Sequence, residues 1–382
     1  MSATQVPRIG ANLLWLVPGV VGGSEEYTTR LLAATADRLG PTVDVTLFVN
    51  RLFPAAHPEL VKRFRTVVGP VSGGHKATRV AAETTWLAVQ ARRRHLDLVH
   101  HFGGLVPLVR GTKTVVTLHD LQPLAQPEHF RPAKRAFLRV MLPWSMHAAD
   151  RIVTLTEHTK EDLHRQLRVD PHKVTIVPSG IRLSQGPVDP LLAQRVRHRY
   201  RLADRPFLLY PAITYPHKNH ETLIRAFAQV WSRHPDVVLV LTGGSARCEA
   251  EVRALIDVLG LRSAVRRPGR IPAEDLDVLY REATALAFPS TFEGFGLPVL
   301  EAMSRGCPVI AAAATALPEV IGEAGVLLSA RDVAQWSVAM ERMIDEPELR
   351  ATLRDAGYAR AQAFTWEAAA DALGRLWWDV LA

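Results

Sequence analysis

The sequence predicts an α/β protein made of two doubly wound, parallel-sheet domains in succession. Short apolar runs alternate with longer amphipathic stretches. A break bearing Gly and two prolines, 183-LSQGPVDP-190, interrupts them midway, and the alternation then restarts. In the first half, strands are expected at 8-RIGANLLWLV-17, 43-VDVTLFV-49, 97-DLVHHF-102, 114-TVVTLH-119, 151-RIVTLT-156 and 174-VTIVP-178, with helices starting near Ser24 and His158. In the second half they are expected at 207-FLLYP-211, 237-VVLVLTG-243, 285-ALAFPS-290 and 308-PVIAAA-313. The expected division is a first domain over residues 1–182, a linker over 183–205, a second domain over 206–364 and a C-terminal helix over 365–382, whose Trp377 and Trp378 need a surface to cover them. Two such domains would face a central cleft at the carboxyl ends of both sheets, where ligands of this architecture bind.

With 48% hydrophobic and 22% charged residues, the chain reads as an ordinary globular protein, and no apolar run reaches the ~20 residues of a membrane span. Its opening residues lack a basic leader and an A-x-A site and run into a glycine turn, so they are read as the first strand. Cys248 and Cys307 lie far apart without clustered histidines, which implies neither a disulfide framework nor a zinc site and fits a reducing cytoplasm. The net charge of +8 comes mainly from arginine. Such a surplus suits nucleic acid, an anionic membrane surface or a phosphorylated substrate. In 131-RPAKRAFLRVMLPW-144, Arg131, Lys134, Arg135 and Arg139 recur at helical spacing, with Phe137, Leu138 and Met141 elsewhere. That pattern fits a helix on anionic headgroups and equally a solvated basic face. Zinc-finger and RNA-recognition signatures are missing, so nucleic acid is not an expected partner. Asp275-Leu276-Asp277 gives a D-x-D, but it falls within 273-AEDLDVLYREA-283, which reads as a helix with a solvated acidic face, and no metal is expected.

The stretch 292-FEGFGLPVLEAMSRGCPVI-310 carries the chemistry. Pro298 suits the first turn of a helix, so strand 285-ALAFP-289 feeds a Gly-containing loop and then a helix start. Backbone amides of Phe295, Gly296 and Leu297 would there meet an anionic phosphate. Glu293 in the loop and Glu301 within the helix can accept hydrogen bonds from vicinal hydroxyls. A diphosphate flanked by two polyols is a nucleotide sugar. Gly22 and Gly23, between a strand and a helix, allow close backbone approach to a phosphate or acceptor, and also fit a simple tight turn. His119 follows strand 114-TVVTL-118 and would project from its carboxyl end.

The Glu-x7-Glu pair Glu293 and Glu301, in EGFGLPVLEAM followed by PVIA, resembles the retaining glycosyltransferases of family four, which have the GT-B fold. The resemblance extends to 22-GGSEEY-27, 116-VTLHDLQPLAQPEHF-130, 149-ADRIVTLTEHTKEDL-163, 176-IVPSGI-181 and 217-HKN-219, nearly the whole chain. It implies that Glu301 binds the donor ribose, Glu293 the transferred sugar, and the amides of Gly294, Phe295, Gly296 and Leu297 the sugar and diphosphate. It also implies that Lys218 stabilises the departing diphosphate, that His119 contacts the transferred sugar while Asp120 orients its loop, and that the C-terminal helix returns to the first domain. Many relatives carry an upstream Arg where this chain has Ile213 within 211-PAITYPHKN-219; His217 or Arg270 are the candidates to replace it. The donor base would be read near 269-GRIP-272.

The form of 116–130 resembles bacterial mannosyl- and rhamnosyl-type transferases of polysaccharide assembly, which makes GDP-mannose the first donor expected and a glycan or lipid-linked molecule the acceptor. No cofactor beyond the nucleotide-sugar substrate is implied. A cytoplasmic protein, peripheral on the inner membrane face through residues 131–139, fits this reading. A catalytically silent nucleotide-sugar-binding scaffold and a GT-B nucleotide-sugar epimerase are the alternatives.

Overall fold

The structure, a computed structural model, describes residues 6–183 and 188–382. Residues 1–5, and residues 184–187 of the break at 183–190, lie outside the described residues. The chain forms two compact units, Met1–Gly180 with Phe364–Ala382, and Ile181–Ala363.

The first unit holds strands β1 (Arg8–Leu13), β2 (Asp44–Val49), β3 (Arg65–Val68), β4 (Leu98–His101), β5 (Lys113–Thr117), β6 (Arg151–Thr154) and β7 (Val174–Ile176), ordered β3-β2-β1-β4-β5-β6-β7. Every pairing among them is parallel. β1 and β2 are buried along nearly their whole length, as strands covered on both faces must be. The strand order reverses between β1 and β4, so a crevice opens beyond their carboxyl ends.

The second unit holds β8 (Phe207–Pro211), β9 (Val238–Thr242), β10 (Val265–Gly269), β11 (Ala285–Phe288), β12 (Val309–Ala312) and β13 (Val326–Leu328), ordered β10-β9-β8-β11-β12-β13 and again all parallel. Its reversal lies between β8 and β11.

Three edge strands escape the sequence pattern. β3 is partly exposed, β10 contains two arginines and a proline, and β13 is three residues long. None offers a run of apolar residues long enough to stand out, which is usual for the border of a sheet.

The stretch expected as a linker over 183–205 contains the helix Pro190–Arg199, capped by Asp189, whose Oδ1 accepts from the Leu191 amide at 2.9 Å. Arg199 and Tyr200 at its end both donate to Asp275, so these residues are part of the second unit's packing. The same contacts correct the expected solvated acidic face. Asp275 is fully buried, and Asp277 is shared by Arg281 at 2.8 Å and Arg305 at 2.6 Å. The first aspartate anchors a neighbouring helix because a buried carboxylate requires charged partners.

The C-terminal helix, Trp366–Leu381, packs on the Gly23–Leu39 helix of the first unit. Gly374 allows that approach: a Cβ there would stand 2.8 Å from Leu39. Asp371 receives both prongs of Arg38 at 3.0 and 2.8 Å. Trp377 is wholly buried and Trp378 is 45% exposed. The Trp377 indole donates to His100 Nδ1 at 3.2 Å, which leaves the His100 proton on Nε2, 2.8 Å from Thr117 Oγ1. Among the described residues, no helix is long and apolar enough to cross a membrane.

Candidate active site

The second unit brings Lys218 and Glu293 together beyond the carboxyl ends of β8 and β11, at its strand-order reversal. Lys218 ends a short turn, Pro216–Lys218, whose next residue, Asn219, adopts φ 53°. Asn tolerates that left-handed conformation better than most residues. It also uses its amide: Nδ2 donates to the carbonyls of Pro289 at 3.1 Å and Ala330 at 2.6 Å, while Oδ1 accepts from Thr222 at 2.9 Å. The buried Tyr210 hydroxyl donates to the Lys218 carbonyl at 2.6 Å. With its backbone fixed in this way, Lys218 extends its ammonium to Glu293 Oε1 at 2.5 Å, and the two side chains are only 18% and 12% exposed.

Glu293 is held from a third strand end. The Thr315 hydroxyl, in the loop after β12, accepts from the Glu293 amide at 2.8 Å and donates to its carbonyl at 2.9 Å. The loop from Ser290 to Thr291 is anchored in turn on the His217 carbonyl by the Thr291 amide at 2.8 Å and by both hydroxyls.

Gly296 adopts φ 94°, and a Cβ on it would lie 2.6 Å from Leu317, so glycine is required there by conformation and by packing. The following helix, Leu297–Met303, is seven residues long and carries Pro298 in its first turn. Phe295 is buried, whereas Gly294 and Leu297 are half-buried. Glu301, also half-buried, accepts from the Tyr280 hydroxyl at 2.9 Å. Burial, followed by the Glu301 charge, pushes the Tyr280 phenol well above its ordinary pKa, so it remains a donor to the carboxylate.

The two candidates for a second cation differ. Arg270 is exposed and lies along Gly244, where a Cβ would meet its Nε at 3.1 Å. His217 stacks on Tyr215, with ring centroids 5.8 Å apart. Ile213 is half-buried in the loop between β8 and His217.

In the first unit, His119 follows β5 and is half-buried. Its ring meets Tyr27 edge-on at 5.3 Å and lies 6.2 Å from Trp15, and its Nε2 is 3.3 Å from the Phe102 carbonyl. Burial lowers its pKa to about 4 against the opposing pull of that carbonyl, so it is neutral at pH 7. Asp120 Oδ1 accepts from the Gln122 amide at 2.9 Å and so shapes the turn after His119. Gly22 precedes the Gly23–Leu39 helix at φ 64°, and a Cβ on either Gly22 or Gly23 would meet nothing within 4 Å. Conformation demands glycine at Gly22, and the space beside both is open.

Sequence reasoning passed over Tyr210, Asn219, Tyr280 and Thr315 as functional positions. Only Asn219, within the HKN motif, carried a usable signal. Tyr210 reads as one more apolar residue of its strand, Tyr280 meets Glu301 from another helix, and Thr315 meets Glu293 from the loop after another strand. Among the described residues, no group of three or more His, Cys, Asp and Glu side chains is placed to hold a metal ion.

Residues 21–185 match the family described as Glycosyltransferase Family 4, and residues 195–360 match Glycosyl transferases group 1. The chain is 32% identical to the D-inositol 3-phosphate glycosyltransferase of Actinosynnema mirum, over 93% of this chain and 91% of that one. It is 28% identical to the O-antigen chain mannosyltransferase B of Escherichia coli, over 72% and 73%. Among solved structures, it superposes on Anabaena HepE in complex with UDP and glucose with TM-score 0.78 at 20% identity, covering 98% of this chain and all of that one. It superposes on WaaG, a glycosyltransferase involved in lipopolysaccharide biosynthesis, with TM-score 0.73 at 19% identity, covering 96% and 99%.

Proposed function

The chain belongs to glycosyltransferase family 4, and from that premise we propose that it is a retaining enzyme that moves a hexose from a nucleotide-sugar donor to a glycan or lipid-linked hydroxyl. It is a glycosyltransferase of the GT-B fold, with two Rossmann-like units. The observation that carries the finer reading is the mostly buried Lys218–Glu293 pair at the second unit's strand-order reversal.

The pair suggests how the site would work. In the free protein the Lys218 ammonium is neutralised by Glu293. A donor diphosphate would take over that ammonium and release Glu293 to accept a hydroxyl of the transferred sugar. Glu301, oriented by Tyr280, would accept the ribose hydroxyls, and the amides of residues 294–297 would face the sugar and diphosphate. As the bond from anomeric carbon to phosphate oxygen breaks, negative charge grows on the leaving diphosphate. Lys218 is then best placed to stabilise it, an interaction stronger in the transition state than in the ground state. The acceptor hydroxyl attacks from the face the diphosphate leaves, and a diphosphate oxygen takes its proton. No step needs a metal. Neutral His119 would serve a sugar hydroxyl, and the open space beside Gly22 and Gly23 would admit an acceptor.

GDP-mannose is the first donor to test, because a similar protein is named a mannosyltransferase. UDP-sugars follow, because HepE is described with UDP and glucose. The exposed Arg131, Lys134, Arg135 and Arg139, with Val140 68% and Trp144 39% exposed beside them, suit an anionic membrane surface bearing a lipid-linked acceptor.

A thermal-shift screen against GDP, UDP, dTDP and ADP and their sugars tests the reading. Stabilisation by one nucleotide class, lost in Glu301→Ala, is expected. Folded protein that no nucleotide stabilises would count against it.

A further inference from the structure

Thr315 is a β-branched residue held at φ 48°, a conformation that a side chain branched at Cβ rarely adopts. It sits between β12 and the helix Leu317–Ile321, and the neighbouring backbone is tightly bound. The Ala313 amide donates to Leu328 at 2.7 Å, and the Leu317 amide donates to Ala314 at 3.1 Å. The strained conformation places the Thr315 hydroxyl on the Glu293 backbone, where it uses its single proton and a lone pair at once, donating to the carbonyl and accepting from the amide. The residue it grips carries the carboxylate paired with Lys218. β11 and β12 are neighbours in the sheet, so their carboxyl-end loops emerge side by side and this clamp links them. Backbone strain retained at such a point, with a hydroxyl fully used on the chemistry-bearing loop, suits a part whose conformation serves a site.

We propose that Thr315 is a positioning residue: it holds the Glu293 loop in register so that the carboxylate meets the transferred sugar, and so governs the sugar's share of donor binding and turnover. The proposal rests on the donor reading above. Thr315 touches no reacting atom in this account and acts only through Glu293.

The test uses the full chain and three variants. Thr315→Val keeps the shape and removes the hydroxyl. Thr315→Ser keeps the hydroxyl and removes the methyl. Thr315→Gly relieves the strained φ and removes the hydroxyl. The first readout is amide hydrogen exchange at Glu293, which needs no substrate. Exchange is expected to quicken by about tenfold or more in Thr315→Val and Thr315→Gly and to stay near wild type in Thr315→Ser.

The second readout is the ratio of affinity for a nucleotide sugar to affinity for the corresponding nucleoside diphosphate, with kcat. Ratio and kcat should each fall about tenfold in Thr315→Val and Thr315→Gly, the affinity for the diphosphate alone should stay within about twofold, and Thr315→Ser should restore both. A purely structural role would lower Tm in Thr315→Val and leave the ratio unchanged, which overturns the proposal. Unchanged Glu293 exchange in Thr315→Val overturns it as well. If the wild-type chain binds no nucleotide sugar, the donor reading fails, the sugar-binding role falls with it, and the exchange data still show whether the clamp exists.

Discussion

Lys218 Nζ and Glu293 Oε1 stand 2.5 Å apart on loops that leave adjacent strands, with less than a fifth of either side chain exposed. An ion pair so nearly buried is costly to form, because desolvation offsets most of its attraction. Tyr210, Asn219 and Thr315 each spend a hydrogen bond on the backbone that presents it. That arrangement fixes where the cation and the carboxylate stand beyond the strand ends.

Removing the cation should leave binding partly intact and damage chemistry. Lys218→Ala is expected to lower donor turnover by roughly 10²–10³-fold, the usual cost of losing one charge-stabilising donor at a transition state. Steady-state release of nucleoside diphosphate checks this, with circular dichroism to show that the fold persists.

Tyr280→Phe removes only the hydroxyl that orients Glu301. Nucleotide affinity should weaken severalfold, on the order of 1 kcal/mol for one hydrogen bond. Calorimetric titration checks it, and an unchanged affinity would remove Glu301 from the ribose role.

Trp377→Ala should destabilise the first unit by about 3–5 kcal/mol, the range for emptying a fully buried aromatic site, and would also leave His100 Nδ1 without its donor. Trp378→Ala, at a half-exposed position, should cost far less. Denaturant midpoints of the two variants decide the matter.

Acidification should destabilise the fold before the carboxylates titrate. Burial depresses His101 to about 3, and His119 and His220 to about 4, all below the ordinary value of 6.5. The unfolded chain therefore binds these protons first. The contribution of each histidine is complete above pH 6.5 and shrinks as pH falls toward its folded value, by up to about 1.4 kcal/mol per pH unit. Glu83, raised by its burial, acts in the opposite sense: it gains a proton more readily when folded and stabilises as pH falls toward the unfolded carboxylate value. Urea midpoints should drop between pH 6.5 and 5, and less steeply in His101→Gln.

Chelation should leave turnover unchanged. Both carboxylates of the D-x-D are already engaged by arginines, Asp275 by Arg199 and Asp277 by Arg281 and Arg305. Asp275→Asn should instead lower stability, because it weakens the charge-assisted hydrogen bonds that this buried carboxylate accepts from Arg199 and Tyr200. Activity with EDTA, and the melting of the variant, are the two measurements.

Much of the fold was legible because central strands such as β8 and β11 are buried on both faces and read as apolar runs beside proline. Edge strands such as β10, with Arg266 and Arg267, were not legible, since one side of each faces no partner. The HKN and Glu-x7-Glu motifs were visible because each is contiguous in sequence, and the structure pairs Lys218 of the first with Glu293 of the second. What supports those motifs was hidden. Tyr280 reaches Glu301 from another helix, and Thr315 reaches Glu293 from a loop 22 residues later. Such pairings are set by strand order, which a single sequence does not display. Asp275 misled because a helix face reads as solvated until the helix Pro190–Arg199 is seen to cover it.

The most direct measurement of the central claim compares wild type with Lys218→Met by calorimetric titration of a nucleoside and of its diphosphate. The account predicts that the diphosphate loses about tenfold or more in affinity in the variant, as for the loss of one charge-assisted contact, while the nucleoside binds both proteins alike. Equal affinity of the diphosphate for the two proteins would contradict the assignment of Lys218 to the donor.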